Sequence, residues 1–288
     1  MLARARPAPP GFAWHMPAAV VRCGTPYRAP GFEEVAVETP VALLYNSISH
    51  VVMMATPADL EDFAVGFSIA EGVVAHADEI ASVVVSQAVA PTGTGGEPGV
   101  VAGFRIDVTI PEDRATAVRR RHRNLSGRTG CGVCGVAEID QVLRPLPAAP
   151  AGPAIAPAAI NRAMRDLPER QQLNETTGAA HAAGFAGFDG ILLAVREDVG
   201  RHNALDKLIG AVLRAGRDPA GGFVVVTSRC SMEMVQKTAL FGAPLIAAVS
   251  APTSLAIALA EGCGVALAAF ARGEGFNIYA HPERIAPR

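Results

Sequence analysis

Residues 191–214 read ILLAVREDVGRHNALDKLIGAVLR. Five apolar residues open the stretch, a polar turn with a glycine follows, and apolar residues then recur at helical spacing. This reads as a strand, a turn and a helix over 203–214. The pattern returns downstream. FVVV with Thr227 precedes a helical stretch at 232–241, residues 245–249 precede another at 254–261, and 265–270 lead into 276–279. Strands alternating with helices of this length require crossovers, so a mainly parallel sheet is predicted.

In such a sheet, ligands bind beyond the carboxyl ends of the strands. Four segments fall there. The first holds Asp198, Gly200, Arg201, His202, Asn203 and Lys207; the second holds Arg229, Cys230, Ser231 and Lys237. The third is Ser250-Ala-Pro-Thr253, and the fourth, after the strand that ends at Phe270, is Ala271, Arg272, Gly273, Glu274 and Gly275. Helix N-termini with cationic side chains nearby suit an anion such as phosphate. A bland reading stands beside each feature. Asp198 and His202 could be a helix cap and its neighbour. Cys230 could be a small buried residue, and Arg229 and Glu233 an i,i+4 pair.

Upstream, residues 1–30 read as a loose tail, and 34–45 and 50–54 as strands. Thr56-Pro57 reads as a helix start, with threonine as N-cap and proline at the first helical position. Residues 80–89 and 100–110 read as a hairpin and 111–121 as a short helix. This amino-terminal part is α+β. Residues 144–159, rich in alanine and proline, read as a connector, and 160–173 as a long helix.

The 288 residues are half hydrophobic and carry a net charge of −2, so a packed core is available and no basic surface asks for nucleic acid. Five cysteines form no disulfide framework. The basic, proline-rich start lacks the apolar core of a secretory signal, and 242–260 is interrupted by prolines and polar residues. A cytoplasmic protein without membrane spans is expected.

Residues 126–135, SGRTGCGVCG, place Cys131 and Cys134 among four glycines, downstream of Arg119, Arg120, Arg121 and Arg123. Three chemistries suit the pair. A structural zinc site needs four ligands, and no second C-x-x-C is present. A thioredoxin-like pair normally follows a strand. A thiol that carries sulfur as a persulfide fits the glycines and the arginines, which favour thiolate.

Together, SGRTGCGVCG, EDVGRHNALDK (197–207), TSRCSMEM (227–234) and SAPT (250–253) resemble the FdhD family of formate dehydrogenase accessory sulfurtransferases. The resemblance implies a sulfur carrier. Cys131, assisted by Cys134, would accept persulfide sulfur from a cysteine desulfurase. It would pass the sulfur to the molybdenum cofactor, in its bis(molybdopterin guanine dinucleotide) form, before insertion into formate dehydrogenase. The family's cofactor-binding segment maps onto 270–275. Arg229, Ser231, Lys237, His202, Asn203 and Lys207 are the further cofactor-binding candidates, and no permanently bound metal is expected. The resemblance also implies a homodimer and a cytidine-deaminase-like α/β domain over 144–288. A smaller α+β domain would cover 31–125, joined through a mobile C-x-x-C loop at 126–143. The deaminase zinc signature is missing, so deamination is not implied. The alternative reading is a zinc-stabilised nucleotide-binding regulatory module without transfer chemistry; a thiol-disulfide reductase is a third.

Overall fold

The computed structural model describes residues 13–23, 28–89, 101–122 and 145–287. Cys131, Cys134 and their glycines lie outside the described residues.

Among the described residues, three sheets organise the chain. β1 (His15–Cys23) and β2 (Arg28–Ala36) form an antiparallel ribbon. The second sheet contains β3 (Thr39–Tyr45), β4 (Ile48–Ala55), β5 (Ser82–Val89) and β6 (Val101–Thr109), in the order β4-β3-β6-β5. Among the described residues, two helices belong to this half: α1 (Leu60–Ala70) and α2 (Glu112–His122). Next come α3 (Pro157–Asp166) and α4 (Gln172–Thr177). The third sheet has six strands. They are β7 (His181–Gly187), β8 (Leu192–Asp198), β9 (Gly222–Val226), β10 (Leu245–Ala248), β11 (Ala266–Arg272) and β12 (Gly275–Ala280). Three crossover helices link them: α5 (Arg201–Arg214), α6 (Met232–Phe241) and α7 (Ser254–Cys263).

The six-stranded order is β12-β11-β10-β9-β7-β8. β9, β10 and β11 are parallel. β7 is antiparallel to both β8 and β9, so β8 runs the same way as β9. The carboxyl ends of β8, β9, β10 and β11 therefore share one edge, as the alternating pattern predicts. Only the β9–β10 and β10–β11 ladders are parallel, because β7 is inserted between β8 and β9 and β12 returns along β11. The expected mainly parallel pairing is corrected to a mixed sheet. The protein is a mixed α/β fold.

One face of the six-stranded sheet packs on α1 and α5 and shares a continuous apolar core with the four-stranded sheet. The other face packs on α3. α1 and α5 cross at two glycines. A methyl group added at Gly66 would fall 1.7 Å from the Asp206 carbonyl oxygen, and one at Gly210 would fall 1.8 Å from that of Asp62. Only hydrogen fits between the two backbones there.

Several expectations are corrected. Residues 15–23 pair with 28–36 as strands, so the loose-tail reading does not hold for 15–23 and 28–30. The single strand read at 34–45 is the end of β2 and all of β3, separated at 37–38. Helix α1 starts at Leu60 after Asp59, whose φ is 53°, and not at Thr56-Pro57. Thr56 is occupied elsewhere, as described below. The helix read at 160–173 is two helices, because Pro168 opens an intervening 3₁₀ turn. Strand β7, HAAGFAG, was not read at all; its small residues lack the β-branched signal. They suit its place between β8 and β9, where a methyl on Gly184 would meet Val225 at 2.9 Å.

Candidate functional site at the carboxyl edge of the six-stranded sheet

The edge is built on buried ion pairs. Asp198 ends β8 and is fully buried. Its Oδ2 accepts from the Lys207 ammonium at 2.6 Å and from the Thr56 N–H at 3.0 Å. Its Oδ1 accepts from the Gly200 N–H at 2.8 Å and from Asn203 Nδ2 at 3.0 Å. Lys207 also donates to the Thr56 carbonyl at 2.9 Å, and Asn203 to the Met54 carbonyl at 2.8 Å. Thr56 Oγ1 accepts from the Val199 N–H at 3.3 Å. Thr56 thus bonds across to β8 and α5 instead of capping its own helix. The result fixes the start of α5 against the end of β4. A buried carboxylate is stable only with such partners.

A second pair uses the neighbouring residue of α5, Asp206. Lys237 of α6 donates to Asp206 at 2.8 Å and 3.1 Å and to Glu71 at 2.9 Å, and sits 5.6 Å from the centre of the Phe67 ring. Burial opposes the charge on Lys237, but Asp206 and Glu71 outweigh it and hold its amine above the ordinary range. Burial pushes the Asp206 carboxyl up to about 7, against the pull of Lys237. A third cluster joins α1 to β8 and α5: Arg196 donates to Asp62 at 2.7 Å and 2.9 Å, and Arg214 pairs with Asp62 and Glu61.

These contacts reassign two candidates. Lys207 and Lys237 are inside, each held by carboxylates, and do not present charge at the rim. Asn203 is likewise buried and committed to Asp198 and Met54.

The rim itself comes from the helix starts. Arg201 and His202 open α5, and Ser231 is the N-cap residue of α6. Arg201 Nε, His202 Nε2 and Ser231 Oγ are buried atoms without a hydrogen-bond partner. Groups of this kind await a ligand or water. His202 Nε2 is 4.0 Å from Glu233 Oε2. Burial, reinforced by Lys237 and Arg201, pushes the His202 imidazole down to about 4, so it is neutral near pH 7. His181, opposite Asp198 in the β7–β8 ladder, is also held below its ordinary range by burial and by Arg201. Arg201 is the rim residue that the sequence reading listed but did not select; its place directly after β8 was the available signal.

The remaining candidates line the same edge. Arg229 is exposed. Cys230 is fully buried, and burial pushes its thiol up to about 12, which leaves it inert. Its backbone joins the loop after β10, through the Ala251 carbonyl at 3.1 Å and the Thr253 N–H at 3.0 Å. Thr253 caps α7, accepting from the Ala256 N–H at 3.3 Å. Phe270 has φ 53° and is 46% exposed. Arg272 donates to the Val249 carbonyl at 3.1 Å, fixing the β11–β12 turn against β10. Gly273 has φ 59°, where a side chain would be strained. The Glu274 carbonyl accepts from Asn161 of α3 at 3.0 Å, and Glu274 and Gly275 are exposed. Ala271 is buried. Among the described residues, no group of three or more His, Cys, Asp or Glu side chains could hold a metal ion. Among them, too, no helix is long and apolar enough to cross a membrane.

Residues 36–286 match the FdhD/NarQ family model. The chain belongs to the FdhD/NarQ family. It is 46% identical over 251 residues to the sulfur carrier protein FdhD of Xanthomonas axonopodis pv. citri, covering 87% of this chain and 85% of that protein. It is 48% identical over 253 residues to the sulfur carrier protein FdhD of Cupriavidus necator, covering 88% and 84%. A solved structure described as "Crystal structure of a putative formate dehydrogenase accessory protein from Desulfotalea psychrophila" superposes with a TM-score of 0.70 at 28% identity, covering 95% of this chain and 100% of that one. The FdhD/NarQ match spans both the carboxyl edge and the segment that carries Cys131 and Cys134.

Proposed function

We propose that this chain is a sulfur carrier serving formate dehydrogenase, with Cys131 as the sulfur-bearing residue. The FdhD/NarQ match over residues 36–286 carries the reading, because it joins the C-x-x-C pair and the carboxyl edge in one family unit. The names of the relatives and the unpartnered rim donors support it.

The Cys131 thiolate attacks the terminal sulfur of a cysteine desulfurase persulfide. A new S–S bond forms at Cys131, the donor's S–S bond breaks, and the donor cysteine leaves as thiolate. Release uses Cys134. Its thiolate attacks Cys131 Sγ, a disulfide forms, and the terminal sulfur departs as sulfide with the electron pair of the broken bond. A cellular thiol then reduces the disulfide. The acceptor substrate is the molybdenum cofactor in its bis(molybdopterin guanine dinucleotide) form. Arg201, Arg229 and Arg272 would face its phosphates, Ser231 and neutral His202 would meet polar ring atoms, and the turn at 273–275 would pass close to it. In this reading residues 144–288 are the cytidine-deaminase-like domain that holds the cofactor.

The test is complementation. In cells lacking their own carrier, this chain restores formate dehydrogenase activity and its Cys131→Ala variant does not. Full activity from that variant removes Cys131 from the mechanism.

A further inference from the structure

Glu233 stands in the first turn of α6, two residues after Ser231. Its side chain is only 20% exposed, and among the described residues its one ion-pair contact is His202 Nε2 at 4.0 Å. None of the described residues donates a hydrogen bond to this carboxylate. Lys237, four residues later on the same helix, is taken by Asp206 and Glu71. A largely buried carboxylate without donors is costly until a ligand or water supplies them.

The three unpartnered rim atoms stand on the same facing first turns of α5 and α6. Arg201 Nε only donates, whereas Ser231 Oγ and His202 Nε2 can donate or accept. Ser231 holds the N-cap position of α6 but makes no side-chain cap bond, so its hydroxyl is not spent on the helix. The place therefore offers one group that only accepts, beside groups that donate. A matching ligand edge carries two adjacent N–H groups for the carboxylate and an oxygen beside them for the donors.

We propose that Glu233 reads the 2-amino-4-oxopyrimidine edge of the bound cofactor, accepting its paired N–H groups while the ring oxygen turns to Ser231 and Arg201. This deepens the cofactor reading given above and rests on it for the ligand. Guanine carries this edge, with the ring N–H and the amino group side by side and the oxygen next to them. The pterin rings of the same cofactor carry it too. Adenine and cytosine do not: beside their amino group stands a ring nitrogen lone pair. A lone pair set against a carboxylate repels, so one residue both selects and rejects.

Calorimetry on the full chain tests this with guanosine, inosine and adenosine diphosphates and with 6-carboxypterin. With guanine as the source, guanosine diphosphate binds about tenfold tighter than inosine diphosphate, which lacks only the amino group, and tighter still than adenosine diphosphate. Glu233→Gln then lowers guanosine diphosphate affinity at least about tenfold and leaves adenosine diphosphate unchanged. With pterin as the source, the three nucleotides bind alike and Glu233→Gln lowers 6-carboxypterin affinity by that factor. Ser231→Ala, a second variant, weakens the same ligand, and circular dichroism checks that both variants are folded. Equal losses for guanosine and adenosine diphosphates in Glu233→Gln, no loss for either edge, or a wild-type chain that binds none of the four ligands overturns the proposal. Sulfur acceptance by the wild-type chain is measured alongside. Loading at Cys131 without any edge preference removes the role of Glu233 and leaves the carrier; an edge preference without loading removes the carrier and leaves the role of Glu233.

Discussion

Replacing Lys207 with Met removes one charge from the most enclosed ion pair in the protein and keeps the aliphatic stem. Two bonds disappear: the 2.6 Å contact to Asp198 and the 2.9 Å contact to the Thr56 carbonyl. Both side chains are fully buried, so water does not replace the ammonium. Taking one partner from a buried pair costs about 3–5 kcal/mol. The orphaned Thr56 carbonyl adds about 1 kcal/mol. Three donors remain on Asp198, from Thr56, Gly200 and Asn203, and they soften the loss. The expected destabilisation is about 4 kcal/mol, a large part of a typical total of about 5–15 kcal/mol. Adding Asp198→Asn removes the stranded charge, so the double variant recovers about 2 kcal/mol. Urea unfolding followed by far-ultraviolet circular dichroism measures this. The single tryptophan, Trp14, borders the ribbon and reports poorly on the core. A Lys207→Met loss below about 1 kcal/mol, or a double variant no more stable than the single one, refutes the buried-clamp reasoning.

Gly210→Ala puts a methyl 1.8 Å from the Asp62 carbonyl, so it lowers the melting temperature despite the gain of about 1 kcal/mol in helix propensity; a raised melting temperature contradicts the close helix crossing. His202 titrates near 4 when folded and near 6.5 when unfolded, so the unfolded chain binds more protons between those values. Stability therefore falls as pH drops from 6.5 toward 4, and His202→Gln cancels up to about 2 kcal/mol of that loss at pH 5 in urea titrations. An identical pH profile for both chains would show that His202 is not buried in neutral form. Cys230, pushed up by burial, resists iodoacetamide in the native protein and is labelled only in denaturant; native labelling mapped to its peptide contradicts this placement. Under the proposed cofactor reading, Arg201→Ala weakens binding of guanosine diphosphate, used as a fragment of the guanine dinucleotide, about tenfold in calorimetry, the loss of about one charge-assisted hydrogen bond; unchanged affinity removes Arg201 from the proposed cofactor contacts.

The strand–helix alternation was legible because the strands β9, β10 and β11 are unbroken apolar runs and because Ser231 and Thr253, residues of the N-cap type, stand before α6 and α7. Helix α6 follows its sequence signal residue for residue, with the αL glycine Gly242 at its end. Strand β7 was hidden because its small residues are chosen by neighbours on both sides and not by β propensity. The site was half legible. Ser231, His202 and residues 271–275 were placed at one edge by topology, since β8, β9, β10 and β11 run the same way. Lys207 and Lys237 were recognisable as cations, but local pattern does not say which carboxylate faces them. Asp198 lies nine residues before Lys207 across a strand-to-helix turn, and Asp206 meets Lys237 across two helices. Thr56 has the composition of a cap and the geometry of a cross-link, a distinction made only by the chain 142 residues away.

Intact mass spectrometry after incubation with a cysteine desulfurase and cysteine decides whether Cys131 carries sulfur. The wild-type chain gains the mass of one sulfur atom, reversibly under reductant. Cys131→Ala gains none, and Cys134→Ala gains the sulfur but retains it longer. Full sulfur loading of Cys131→Ala, or none on the wild type with an active donor, contradicts the carrier assignment.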